Sequence, residues 1–221
     1  MAVPVLLVNC KAYAEAVGAR AVALAKVCER VARSAKVSIA IVVQSADVHA
    51  VAGAVSIPVY AQHVDAVVPG PFTGHQVIEA VKANGAVGTL LNHSEHRLRL
   101  DVIAATVERC KAVGLKVVLC AKDATEAGRL ATLRPDAVAY EPPELIGGDV
   151  SVSSARPEVV KRAIAKIGDK SVCIVGAGVK TAGDVRKSKE LGAEGVLVSS
   201  GVVLAKNQEA ALKGLAKGFE E

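Results

Sequence analysis

The 221-residue chain is 52% hydrophobic with a mean hydropathy of +0.38, enough apolar side chain for one large buried core. Aromatics make up only 2% and tryptophan is absent, so Val, Ala, Leu and Ile must fill that core. The net charge of +5 is scattered through mixed-charge stretches such as 161–170 and 186–190, with no like-charge block and no basic run interleaved with aromatics. That argues against a nucleic-acid or membrane-surface binder and fits a small anionic substrate.

In chain order, the first apolar run covers 3–9 and turns polar at Asn9-Cys10-Lys11. Runs at 38–43 and 58–62 follow, with short helices after each. The run at 87–92 ends in Asn92-His93-Ser94-Glu95. Leu100, Ile103, Val107 and Cys110 then recur at helical spacing, and Gly114 stops that helix. After a strand at 116–120, Asp123-Ala-Thr-Glu126 has capping-box spacing and opens another helix. The strand at 137–140 leads into Glu141-Pro142-Pro143, and the connection 142–156 shows no clear period. Such a loop in a compact domain is usually a lid or a binding loop. The strand at 171–175 ends in Gly176-Ala177-Gly178, and Thr181-Ala-Gly-Asp184 is a second capping box, with Gly192 beyond its helix. The last strand, 195–198, runs into Ser199-Ser200-Gly201.

All these strands read as continuous apolar runs, so both faces should be buried, as in a parallel sheet. Eight β/α units without a linker or a shift in composition predict an α/β fold, a single (β/α)8 barrel spanning residues 1–221. A doubly wound open sheet is the alternative. The five cysteines are odd in number and lack a C-x-x-C pair, which points to reduced, buried thiols and not to a disulfide frame. The start MAVPVLLVNCK has no basic n-region and too short an apolar run for a signal peptide, and no stretch reaches membrane-spanning length. The expected location is cytoplasmic.

Chemistry collects at the strand ends. Lys11, His93 and Glu141 follow the first, fourth and sixth strands, the rim where barrel active sites form. Singly, each has a plain alternative: a solvated lysine, a core imidazole, a capping carboxylate. Together they place a cation, an electrophile and a base on one rim. His93 and His96 have i, i+3 spacing, but no carboxylate or thiol cluster completes a zinc site. The small residues after strands seven and eight let backbone N–H groups approach a phosphate, with ordinary tight turns as the alternative. A dinucleotide fingerprint is incomplete, since its third glycine is missing.

The set Asn9-x-Lys11, Asn92-His93-Ser94-Glu95 and Tyr140-Glu141-Pro142-Pro143-Glu144-Leu145-Ile146-Gly147 resembles the triosephosphate isomerases, in particular their short archaeal form. Gly176-Ala177-Gly178 and Ser199-Ser200-Gly201 match that form, where bacterial enzymes carry Tyr-Gly-Gly-Ser and a double glycine; Asn92 replaces their glycine before the histidine. The resemblance implies interconversion of dihydroxyacetone phosphate and glyceraldehyde 3-phosphate without cofactor or metal. By the same resemblance Glu141 is the base, neutral His93 the electrophile and Lys11 the electrostatic stabiliser, with Glu95 supporting Lys11. Asn9, Lys11, Ile146, Gly178, Ser199 and Ser200 would bind substrate. Pro142 and Pro143 would hinge a lid whose far end is Gly147 and Gly148. The implied partners are a triose phosphate and a second copy of the chain, as homodimer or homotetramer through residues 64–75, with no nucleic acid and no membrane.

Overall fold

The structure is a computed structural model that describes residues 6–146 and 151–220. Eight strands follow one another around a closed barrel: β1 (Leu6–Asn9), β2 (Ile39–Val43), β3 (Val59–Ala61), β4 (Gly88–Leu91), β5 (Lys116–Ala121), β6 (Ala137–Tyr140), β7 (Val172–Val175) and β8 (Gly195–Val198). Every neighbouring pair is parallel, and β1 closes the ring on β8 with Leu6 opposite Val196 and Val8 opposite Val198. The open-sheet alternative is thereby excluded. The strand boundaries agree with the sequence reading to within one or two residues at the described ends; residues 3–5 of the first predicted strand lie outside the described residues.

Helices α1 (Ala19–Ala35), α2 (Val48–Ala52), α3 (Ile78–Ala83), α4 (Leu100–Val113), α5 (Ala124–Ala131), α6 (Val152–Ala155), α7 (Pro157–Ile167), α8 (Ala182–Glu190), α9 (Ser200–Val203) and α10 (Gln208–Ala216) surround the sheet. The helices after β2 and β3 are short, as their sequences suggest. In α4 the stripe Ile103, Val107 and Cys110 is buried, with Leu100 packed at its edge, and Gly114 takes the left-handed cap at φ 74°. The cap of α8 is the full box, with Thr181 Oγ accepting from Asp184 N and the Asp184 carboxylate from Thr181 N. That of α5 differs from expectation: Asp123 accepts from Glu126 N at 2.8 Å, but Glu126 reaches one residue further back and accepts from Lys122 N at 2.8 Å.

The connection 142–156 is also more structured than its sequence suggests. It contains a 3-10 turn, Pro143–Leu145, and the four-residue helix α6. One turn is too short to register as a period. Burial of Val152 and Ser153 and the Ser151 cap on Ser154 N hold it instead.

The strands carry two cores. Side chains alternate, so Leu7, Val42, Tyr60, Leu90, Val118, Ala139, Ile174 and Leu197 fill the barrel interior while their neighbours pack under the helices. This is why the strand sequences are apolar without alternation. The interior holds one large ring, Tyr60, and it lies against Gly88 in the neighbouring strand: a Cβ built on Gly88 would sit 2.2 Å from Tyr60 Cε1. Gly88→Ala is expected to lower stability by about 2–3 kcal/mol through overpacking, read as a lower urea midpoint at unchanged slope.

Candidate active site

The polar residues that end the strands meet at one end of the barrel. Asn9, Lys11, His93, Glu141, Ile146, Gly178, Ser199 and Ser200 line a single cleft, together with Ala177, Val179, Lys180 and Gly201. Every substrate-contact position expected from the sequence therefore faces one space. Pro142 caps the 3-10 turn that begins at Pro143, next to Glu141. Gly147 and Gly148 lie outside the described residues.

Lys11 adopts a left-handed backbone, φ 48°, which a lysine rarely does. Both of its peptide groups are clamped: Asn9 Oδ1 accepts from Lys11 N at 3.0 Å, and Gln62 Nε2 donates to Lys11 O at 2.8 Å. Its ammonium meets Glu95 Oε1 at 2.6 Å. Gln62 was not singled out in the sequence, although it follows β3 as Lys11, His93 and Glu141 follow theirs; a polar residue closing an apolar run was its signal.

The turn after β4 is built around Asn92, also left-handed at φ 61° and fully buried. Its amide donates to Cys120 O at 2.9 Å, its Oδ1 accepts from Leu98 N at 3.0 Å, and its carbonyl accepts from Arg97 Nη1 at 3.0 Å. This seats His93, only 8% exposed. His93 Nδ1 lies 3.2 Å from Glu95 N and 3.6 Å from Glu95 Oε2. The nearer group is an N–H donor, so Nδ1 is the acceptor and the proton sits on Nε2 of a neutral ring. That Nε2–H faces Glu141 Oε2 across 3.8 Å, too far for a bond between them and wide enough for each to address an atom of a third molecule.

Glu141 is 7% exposed, and its Oε2 is buried without a hydrogen-bond partner. Burial pushes its carboxyl pKa above the ordinary value; His93, a hydrogen bond from the Cys120 thiol and the Lys11 charge oppose that push without cancelling it. A Cβ on Gly176 would lie 2.5 Å from Glu141 Cγ and Oε1, so only glycine leaves room for this carboxylate against β7. The pair of small residues that follows has a backbone reason: Ala177 and Gly178 are both left-handed at φ 72°. Across the cleft, Ser199 Oγ is buried and unpartnered at the end of β8.

His96 does not join His93. Its ring packs on His63 with centroids 4.4 Å apart, in a second cleft that opens beside Lys11 and Glu95. His63 in turn meets Asp65 at 3.1 Å, and burial lowers its pKa. Among the described residues no group of three or more His, Cys, Asp or Glu could hold a metal ion, and no helix is long and apolar enough to cross a membrane.

Residues 4–215 match the triosephosphate isomerase family model. The chain is 43% identical over 215 residues to the triosephosphate isomerase of Methanocaldococcus jannaschii, covering 96% of this chain and 98% of that one. It is 47% identical to the enzyme of the same name from Caldivirga maquilingensis over 221 residues, 98% of each chain. With that of Methanosarcina barkeri it shares 41% over 220 residues, 98% of this chain and 99% of the other.

The buried Glu141 carboxylate makes a stability prediction. Its folded pKa lies above its unfolded one, so its cost to folding is absent below the ordinary pKa of about 4.3, appears as pH rises through the folded value, and is complete above it. Glu141→Gln is expected to be more stable than the parent by about 1 kcal/mol at pH 8, with the gap closing below pH ~4.3. Urea unfolding at the two pH values measures it.

Proposed function

The chain belongs to the triosephosphate isomerase family, and from that membership we propose that it is an aldose–ketose isomerase interconverting dihydroxyacetone phosphate and glyceraldehyde 3-phosphate, with Glu141 as the base. The observation that carries the assignment of roles is the 3.8 Å gap between Glu141 Oε2 and the protonated Nε2 of a neutral His93. A carbon acid beside a carbonyl needs a base at the carbon and a proton donor at the oxygen at the same moment, and the two groups face each other across that gap.

In the proposed reaction Glu141 takes a proton from the carbon beside the carbonyl, and the C–H electron pair moves into the carbonyl to give an enediolate. His93 Nε2–H donates to the carbonyl oxygen, and Lys11 supplies fixed positive charge to the developing oxyanion and to the phosphate. The hydroxyl proton then passes from the one oxygen to the other by way of His93 Nε2, which donates its proton to the former carbonyl oxygen and takes back that of the neighbouring hydroxyl, and the proton on Glu141 returns to the neighbouring carbon, which leaves the product isomer and the carboxylate restored. The raised pKa of Glu141 supports this role, because a stronger base drives proton abstraction better. Glu95 holds the Lys11 ammonium from the cleft rim, through their 2.6 Å contact. Lys11, Ile146, Gly178, Ser199 and Ser200 line the same cleft and would hold the phosphate. The Ser199 hydroxyl, which has no protein partner, is available to donate there.

We further propose self-association through residues 64–75. That segment closes at its base, where Asp65 accepts from Gln76 N at 2.7 Å, and it presents Val68 and Phe72 to solvent.

Two measurements test these readings. A coupled assay with glyceraldehyde 3-phosphate should show turnover that falls about a hundredfold in Glu141→Asp, which retracts the base by one methylene. A fully active Glu141→Ala variant would remove the assignment. In the parent, kcat/KM should fall as pH drops through the Glu141 pKa, at a midpoint above the ~4.3 of an ordinary glutamate. For assembly, light scattering should report more than one copy per particle in the parent and a monomer for Phe72→Glu.

A further inference from the structure

The turn that carries His93 is held from outside the cleft as well as from within it. Asn92 precedes the histidine in a left-handed conformation, and its side chain is taken up by Cys120 O and Leu98 N. Those two bonds fix the Asn92 amide, but they leave open which way its backbone carbonyl points. The group that meets this carbonyl is Arg97, whose Nη1 donates to Asn92 O at 3.0 Å. A peptide group is planar, so the direction of the carbonyl sets the direction of the bond into His93.

Arg97 is itself held. Its Nη2 donates to Glu126 Oε1, and the second oxygen of that carboxylate, Oε2, accepts from Lys122 N at 2.8 Å. Burial works against the charge on Glu126, and the bonds from Arg97 and Lys122 N hold its carboxyl pKa below the ordinary value all the same. In a capping box this carboxylate would serve the N–H of the N-cap, Asp123. Here it reaches Lys122 N with one oxygen and presents the other to Arg97. Neither Arg97 nor Glu126 lines the cleft. The contacts therefore run from α5 through Glu126 and Arg97 to Asn92 O, and so to the imidazole, whose Nδ1 accepts from Glu95 N at 3.2 Å in the same turn.

We propose that Arg97 and Glu126 are positioning residues for the electrophile: together they set the peptide plane before His93, and with it the contact from Glu95 N that keeps the ring's proton on Nε2. The inference rests on the isomerase reading of the same cleft. It predicts a loss in the chemical step and not in phosphate binding, because Gly178, Ser199 and Ser200 follow β7 and β8, away from this turn. It also requires the planar fork of arginine, since two partners are held by two nitrogens of one rigid group, and the single ammonium of a lysine does not reproduce that geometry.

The test compares Arg97→Met, Arg97→Lys and Glu126→Gln with the parent, with Arg99→Ala, which breaks the exposed pair of Arg99 and Asp101, as the control. Nitrogen NMR of the imidazoles, with His93 assigned by its absence in His93→Gln, should show the proton of the parent ring on Nε2 alone. In Arg97→Met and Arg97→Lys it should show a mixture of the two neutral tautomers. The same two variants should lose kcat for glyceraldehyde 3-phosphate about tenfold, with the Kd for inorganic phosphate, by calorimetry, at the parental value. Glu126→Gln should move both readouts the same way by less, and adding it to Arg97→Met should cost nothing further, since both act through one chain of contacts. A lower melting temperature with parental kcat and a parental His93 spectrum would mark the pair as a structural brace and overturn the proposal. The same tautomer mixture in Arg99→Ala would also overturn it. Should Arg97→Met fail to fold, parental kcat and spectrum in both Arg97→Lys and Glu126→Gln overturn it as well. Tautomer mixing in a chain that turns over no glyceraldehyde 3-phosphate would keep the positioning role and remove the isomerase reading.

Discussion

Closure of β1 onto β8 is the pairing on which the rest depends. It removes both sheet edges, and it forces each strand to be apolar on two faces, one toward the barrel interior and one toward the helices. Within the buried span of such a strand a charged side chain has no place, and Lys116 stands only at the half-buried start of β5. The first position that tolerates one is the residue after the last ladder bond, where the backbone turns outward. Parallel pairing puts all eight of those positions at the same end. Asn9, which ends β1, and Gln62, Asn92, Glu141 and Gly176, which follow β3, β4, β6 and β7, are thus neighbours in space because of where their strands stop, and no long-range device is needed to collect them.

Collecting them creates an electrostatic problem that the site solves by asymmetry. Two carboxylates, Glu95 and Glu141, and one ammonium, Lys11, share the rim with His93. Glu95 is more than half exposed at its side chain and lies 2.6 Å from the Lys11 ammonium. Glu141 is withdrawn from water and has no such partner, so its proton affinity rises. The histidine between them is held neutral by a backbone N–H on Nδ1, which leaves its one proton aimed at the space beside Glu141. Two glutamates near one histidine thus stand in different settings, one exposed and paired with Lys11, the other buried away from water.

How much of this the sequence reveals depends on the length scale of each feature. Strands such as 137–140 and 195–198 are legible to the residue, because burial on both faces leaves an uninterrupted apolar run. Lys11, His93 and Glu141 are legible as polar or charged residues that follow such runs. Helix α6 is not, since four residues make no period and its support comes from Val152 and Ser153 packing under a distant segment. The Glu126 contact to Lys122 N in place of the Asp123 N–H was likewise invisible, because both geometries satisfy the same sequence spacing. Gly88 and Gly176 show the same limit from the other side. Each is an unremarkable strand-edge glycine until Tyr60 and Glu141 are seen occupying the place of its missing Cβ.

Backbone strain completes the argument about why the rim is rigid. Three non-glycine residues beside the cleft, Lys11, Asn92 and Ala177, take left-handed conformations at φ 48°, 61° and 72°. Each such residue costs on the order of 1 kcal/mol, and it persists only where its surroundings over-determine it. The surroundings here do so in three different ways. Lys11 is clamped by Asn9 and Gln62 side chains, and Asn92 by its own amide together with Arg97. Ala177 is held through the carbonyl that accepts from Val152 N. In the first two, polar side chains buried at the rim provide the restraint, which gives Asn9, Gln62 and Asn92 a reason to be polar that is separate from contact with any ligand. In the third the restraint comes from the backbone at the start of α6, whose Val152 N–H holds the Ala177 carbonyl.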